Sequence, residues 1–189
     1  MKHGNLSSLA TAAVLWAFAS IAPATNLVSN GGFESGLTGW TVSNFFLQGF
    51  DYGIDNQSHS GTSAFYGGAI GDLGFLTQTI ATAAGRDYSV QFWTQSDGFF
   101  ENAFQVAANG TVLLSETDIP IGNYVQQTVF FQATGASTTL QFGFRDDAGF
   151  IHLDDVVASV PEPATFALFG VGLLGLCWTR RPRSTSVVA

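Results

Sequence analysis

The chain has 189 residues, 46% of them apolar, with six Lys and Arg against fourteen Asp and Glu and a net charge of −8. That balance repels a phosphate backbone and argues against a nucleic-acid partner. One cysteine, Cys177, excludes a disulfide framework, and the three or four His and Cys ligands at motif spacing that a zinc site wants are absent.

In chain order, Lys2 and His3 precede a mostly apolar run from Leu9 to Ile21, which ends at the small-x-small step Ala22-Pro23-Ala24. This is the pattern of a secretory signal helix over residues 1–24, with the mature chain starting near Thr25. As a membrane anchor the run is short of the roughly 20 residues a span needs. Residues 25–160 then form one domain, long enough for its own core. Its cations are Arg86 and Arg145 alone, against thirteen carboxylates. Such an acidic surface keeps an exported protein soluble and suits calcium.

No sustained 3.6-residue period occurs in this domain. Short β-rich runs recur between Gly, Asn, Asp and Ser, which predicts strands at 40–46, 64–66, 75–80, 88–95, 103–108, 111–117, 124–132, 138–145 and 151–158. Tyr88, Val90 and Phe92 alternate with Ser89, Gln91 and Trp93; Leu140, Phe142 and Phe144 alternate with Gln141 and Gly143. Asn109-Gly110 between two such runs is a hairpin turn. The fold class that follows is all-β, a jelly-roll β-sandwich.

The chain closes on Pro161-Glu162-Pro163, an apolar stretch over 164–178, and Arg180, Arg181 and Arg183. An apolar helix followed at once by arginines halts in a bilayer. At about 1.5 Å per residue it spans only about 22 Å. These three parts in this order resemble the PEP-CTERM sorting signal of Gram-negative bacteria. The resemblance implies a single transmembrane helix, processing by an exosortase near Pro161, Glu162 and Pro163, and a protein held transiently in the inner membrane before reaching the cell surface or matrix. A plain tail anchor is the alternative.

A second resemblance lies in the domain itself. Asn26-Leu27-Val28-Ser29-Asn30-Gly31-Gly32-Phe33-Glu34 with Gly39-Trp40, His59-Ser60-Gly61, and Ile151-His152-Leu153-Asp154-Asp155-Val156 are similar to the opening and closing motifs of carbohydrate-binding modules of the galactose-binding-like type. Asn30-Gly31-Gly32 reads as a tight bend with positive φ, and Trp40 as a plug between the sheets. The resemblance implies neighbouring first and last strands and a structural calcium at Glu34 and Asp154, with Asp155 as second choice. Surface carboxylates that cap loops are the alternative.

Catalysis finds little support in the residues. Only His59 and His152 lie in the domain, no thiol does, and His59 reads as a turn residue and His152 as a surface residue or one that backs the acidic pair beside it. Sugar binding needs exposed rings to stack on pyranose faces. Trp93 is the foremost candidate, with Phe46, Tyr52 and Phe100 beside it; Phe45-Phe46 and Phe99-Phe100 are adjacent pairs, so one ring of each faces outward in a strand. The reading is an exported, non-catalytic protein that associates with extracellular polysaccharide. The alternative is a structural or adhesive protein that binds other proteins or itself. Aromatics clustered on a rim favour the first, an unprotected edge strand the second, and a buried carboxylate pair in a cleft an enzyme.

Overall fold

The structure is a computed structural model that describes residues 25–98, 101–147 and 149–161. The proposed signal helix, the apolar segment 164–178 and the residues Phe100, Glu162, Pro163, Arg180 and Arg181 lie outside the described residues. Ten strands form, and no helix appears among the described residues: β1 Thr41–Ser43, β2 Tyr52–Asp55, β3 Ala64–Gly67, β4 Gly74–Ala81, β5 Asp87–Ser96, β6 Ala103–Ala108, β7 Thr111–Thr117, β8 Val125–Gln132, β9 Ser137–Arg145 and β10 Ile151–Ser159. They make two five-stranded antiparallel sheets, in the orders β1-β4-β9-β6-β7 and β2-β3-β10-β5-β8.

The two alternating sequences meet between the sheets. Tyr88, Val90 and Phe92 of β5 and Leu140, Phe142 and Phe144 of β9 are buried in one core with Phe65, Phe104 and Leu153. The Asn109-Gly110 turn has φ of 46° and 79° and joins β6 to β7 with Ala108 opposite Thr111, the paired positive φ of a type I′ hairpin. Trp40 is buried as expected: its ring stacks on Phe33 at 5.4 Å and meets Phe142 edge-on at 6.0 Å.

Three expectations need correction. β1 is three residues long, not the seven of 40–46. β2 was not expected at all. It is only four residues long: Tyr52 and Ile54 pack against the core and alternate with Asp55 and with Gly53, where a Cβ would lie 2.6 Å from the Tyr66 hydroxyl. The bend at 30–33 takes its positive φ at Asn30 (52°) and Phe33 (56°), not at the two glycines between them. Asn30 holds that bend by itself: its amide donates to the carbonyls of Gly36 and Thr38, and its Oδ1 accepts the Ser35 N–H. Gly31 is needed for proximity, since its carbonyl accepts the Val156 N–H at 3.0 Å and a Cβ there would lie 2.0 Å from the Val156 oxygen.

Candidate functional site

The opening segment, rather than the first strand β1, which lies in the other sheet, runs beside β10. Leu27 N–H donates to Ala158 O at 2.8 Å, and Asn26 bridges Val156 and Ala158 with its side chain. The turn 59–63 joins the two ends. Glu34 Oε1 accepts the N–H groups of Thr62 and Ser63 at 2.7 and 3.0 Å, and Oε2 accepts the Thr62 hydroxyl at 2.6 Å. Asp154 Oδ2 accepts the N–H groups of His59 and Ser60 at 2.8 and 3.1 Å. Asp155, at φ 50° in the bulge of β10, takes the Ser60 hydroxyl at 2.8 Å and pairs with His59 Nδ1 at 2.7 Å. Gly61 has φ 65° and leaves room for the Glu34 carboxylate, 2.3 Å from an ideal Cβ.

The electrostatics of this clamp are one-sided. The Thr62 hydroxyl and N–H groups hold the Glu34 carboxyl below its usual range. Burial raises Asp154, and the surrounding N–H groups oppose the rise. Burial and the carboxylates of Asp154, Asp55 and Asp155 push the Tyr124 hydroxyl far up. The three carboxylates share one turn, although no three His, Cys, Asp or Glu side chains among the described residues converge as a metal cage. Apart from the His59 ring nitrogen the side-chain donors are oxygens, the ligand type of a hard cation, and the N–H and O–H groups of the turn already take up these carboxylates.

Trp93 points outward from β5, as its alternation predicts. One of its faces is already covered: His59 stacks on it at 3.7 Å and 13°, and Tyr124 meets His59 edge-on at 5.6 Å. Tyr52 points inward and packs on Phe45 at 5.0 Å and Phe65 at 6.5 Å. Of the two places expected for His152 the surface is excluded: it is buried, with Nε2 3.0 Å from Asp55 Oδ2. Trp93 and Tyr52 therefore each spend ring surface on the protein itself.

Phe46 is different. It is 92% exposed, and Phe50 is 63% exposed. Their loop precedes β2 and is rigidly built. Phe45 drives inward, its ring filling the space over Gly74 and Gly67, and the buried Asp51 carboxylate accepts the N–H groups of Phe46 and Leu47. The two phenyl rings and Ile70 flank a cleft of about 530 Å³ with Asn44, Asp51 and Asp72 as its polar lining. Adjacent-pair reasoning found Phe46 for a partly wrong reason: one ring of the pair is inward and one outward, but in a loop, outside β1.

Comparison with known proteins adds two kinds of likeness. Residues 159–181 match a family model described as the PEP-CTERM protein-sorting motif. The chain carries that sorting signal. It implies an exported protein processed by an exosortase. No curated protein matches. Among solved structures, the CBM22-1 xylan-binding domain of Paenibacillus barcinonensis Xyn10C superposes with TM-score 0.54 at 16% identity, covering 75% of this chain and 97% of that one. TmCBM61, solved with β-1,4-galactotriose, gives TM-score 0.51 at 17% identity over 72% and 99%. The enzymatically active domain of bacteriophage CBA120 tailspike protein 4 gives TM-score 0.54 at 19% identity; the match covers 71% of this chain but only 21% of the tailspike. At these identities the likeness is one of fold: a β-sandwich shared with carbohydrate-binding modules.

Proposed function

We propose that the protein is an exported, non-catalytic surface or matrix component whose domain binds extracellular polysaccharide at the Phe46–Phe50 rim. In this reading the jelly-roll body is released from a transient inner-membrane anchor by an exosortase acting near Pro161-Glu162-Pro163. The observation that carries it is the exposure of two phenyl rings on a loop locked by Asp51, beside a cleft with polar lining. Folding gains nothing from such rings in water. A pyranose face does, because stacking removes apolar surface from solvent on both sides. The β-sandwich likeness to sugar-binding modules supports the same reading.

Affinity electrophoresis of the purified protein in gels containing xylan, galactan or the producing cell's own polysaccharide tests it. Phe46→Ala and Phe50→Ala should each weaken retardation about tenfold, the loss typical of an anchor side chain at an interface. Unchanged retardation in both variants would reject the rim. Absence of any glycan binding, together with self-association in sedimentation, favours the adhesive reading. One feature supports that second reading: β8, the outer strand of its sheet, has eight residues with neither charge nor proline.

Calcium belongs to the same proposal as a structural ion held by Glu34 and Asp154, with Asp155 beside them. It would tie the opening segment to β10 and take no part in chemistry. Calcium should raise the melting midpoint of the wild-type protein above its value in chelator. Glu34→Ala should show a smaller gain than wild type, and should also melt earlier in chelator because three hydrogen bonds disappear. An equal calcium gain in variant and wild type, followed by differential scanning fluorimetry, would take the ion away from Glu34.

A further inference from the structure

One buried acid stands apart from the clamp and from the rim. Asp146 follows β9 and is 1% exposed, and neither of its carboxylate oxygens has a hydrogen-bond partner. Only its backbone is anchored, the N–H donating to Ala69 O at 3.1 Å. Within hydrogen-bonding reach stands the carboxyl of Asp97, just past the end of β5. Asp97 is itself fixed: Oδ2 accepts the Phe150 N–H at 2.7 Å, and the group fills the place of a missing side chain at Gly149, whose Cβ would lie 2.4 Å from Oδ1. The nearest cation serves other acids. Arg145 Nε bonds Asp147 Oδ2 at 3.0 Å, and its Nη2 lies 3.7 Å from Glu101.

The buried Asp146 carboxyl, beside the half-buried Asp97 carboxyl, needs something positive at its oxygens, a proton or a metal ion, since an uncompensated buried charge costs several kcal/mol. We propose that Asp97 and Asp146 are the side-chain ligands of a calcium ion, separate from the one assigned to Glu34 and Asp154. Calcium fits the chemistry. It takes six to eight oxygens in flexible geometry, so two carboxylates can be completed by carbonyls and water, and extracellular modules bind it at about 10⁻⁴–10⁻³ M. Zinc would favour nitrogen or sulfur ligands, and Asp97 and Asp146 offer only oxygen. The place is distinct from the clamp: Asp97 lies four residues beyond Trp93, the partner of Asp154 across the sheet, or about 13 Å along a strand. The pair is too close and too enclosed to straddle a glycosidic bond, for which the carboxyls stand about 5–9.5 Å apart.

The test is calcium binding by the purified protein after EGTA treatment at pH 8, measured by equilibrium dialysis and by melting midpoint. Asp146→Asn should lose one bound calcium per chain. At calcium a hundredfold above the dissociation constant the corresponding gain in midpoint, about 10 °C, should vanish with it. Glu34→Ala should keep this site, so loss of the clamp ion alone leaves the present inference standing. Equal stoichiometry in Asp146→Asn and wild type overturns it. So does a protein that grows more stable from pH 8 to pH 6 yet ignores calcium, because the pair then shares a proton. Should both Asp146→Asn and Asp97→Asn fail to fold, a wild-type crystal grown in calcium decides: no density between the two carboxyls refutes the site.

Discussion

Phe142→Ala should lower the unfolding free energy by about 4 kcal/mol, near the top of the range for a buried aromatic cut to alanine. Phe142 sits on β9 between the sheets, fully buried. Its ring meets Phe92 of the opposite sheet edge-on at 5.5 Å and 80°, Trp40 at 6.0 Å and 67°, and Phe104 at 6.4 Å and 31°. Those neighbours are rigid rings pinned by strands on both sides, so they cannot collapse into the space left behind. For a domain of this size the melting midpoint should fall by about 15 °C. Phe130→Ala is the control: that ring lies on the solvent side of β8, 65% exposed, and its removal should change stability by about 0.5 kcal/mol or less. Calorimetry that finds the two variants alike would contradict the placement of Phe142 at the centre of the core.

Gly31→Ala and Gly32→Ala should behave oppositely, although the residues are adjacent and identical. A methyl group at 31 would sit 2.0 Å from the Val156 carbonyl oxygen, a backbone atom. That oxygen already takes a bond from Asn26, and the Val156 N–H already donates to Gly31. Relief requires moving β10 at its bulge, or detaching the opening segment from it. The expected cost is about 3 kcal/mol, at the upper end for forced overpacking. At 32 the nearest atoms are Asp155 Oδ1 at 3.6 Å and Asp154 Oδ1 at 3.8 Å, ordinary contact distances, so Gly32→Ala should be nearly neutral. Urea unfolding of the two variants checks this, and equal losses would mean that backbone entropy, not contact with β10, governs the dipeptide.

Much of the strand plan was legible because period-two alternation is a local property. Leu140-x-Phe142-x-Phe144 and Tyr88-x-Val90-x-Phe92 each show which side faces the core without reference to the rest of the chain. The Asn109-Gly110 turn is equally local, since both residues tolerate positive φ. β2 offers too little of that pattern: Tyr52 and Ile54 alternate over four residues only, and the glycine between them answers to Tyr66, thirteen residues away, which occupies the missing side chain's place. Trp93 was read correctly as outward and wrongly as bare, because what covers it, His59, arrives from a turn whose position depends on Asp154 and Asp155.

The C-terminal end of the chain could be read as an address directly, since a sorting signal works as a linear string of apolar, acidic and basic residues. The all-β class followed from the same kind of local pattern. Only the tertiary structure decided which carboxylates meet. Glu34 and Asp154 share the 59–63 turn because the opening segment pairs with β10, and Asp97 faces Asp146 because β5 and β9 end on the same side of two different sheets. Those encounters depend on register and on packing between sheets, which join residues 49 or more positions apart and leave no trace in the spacing along the chain.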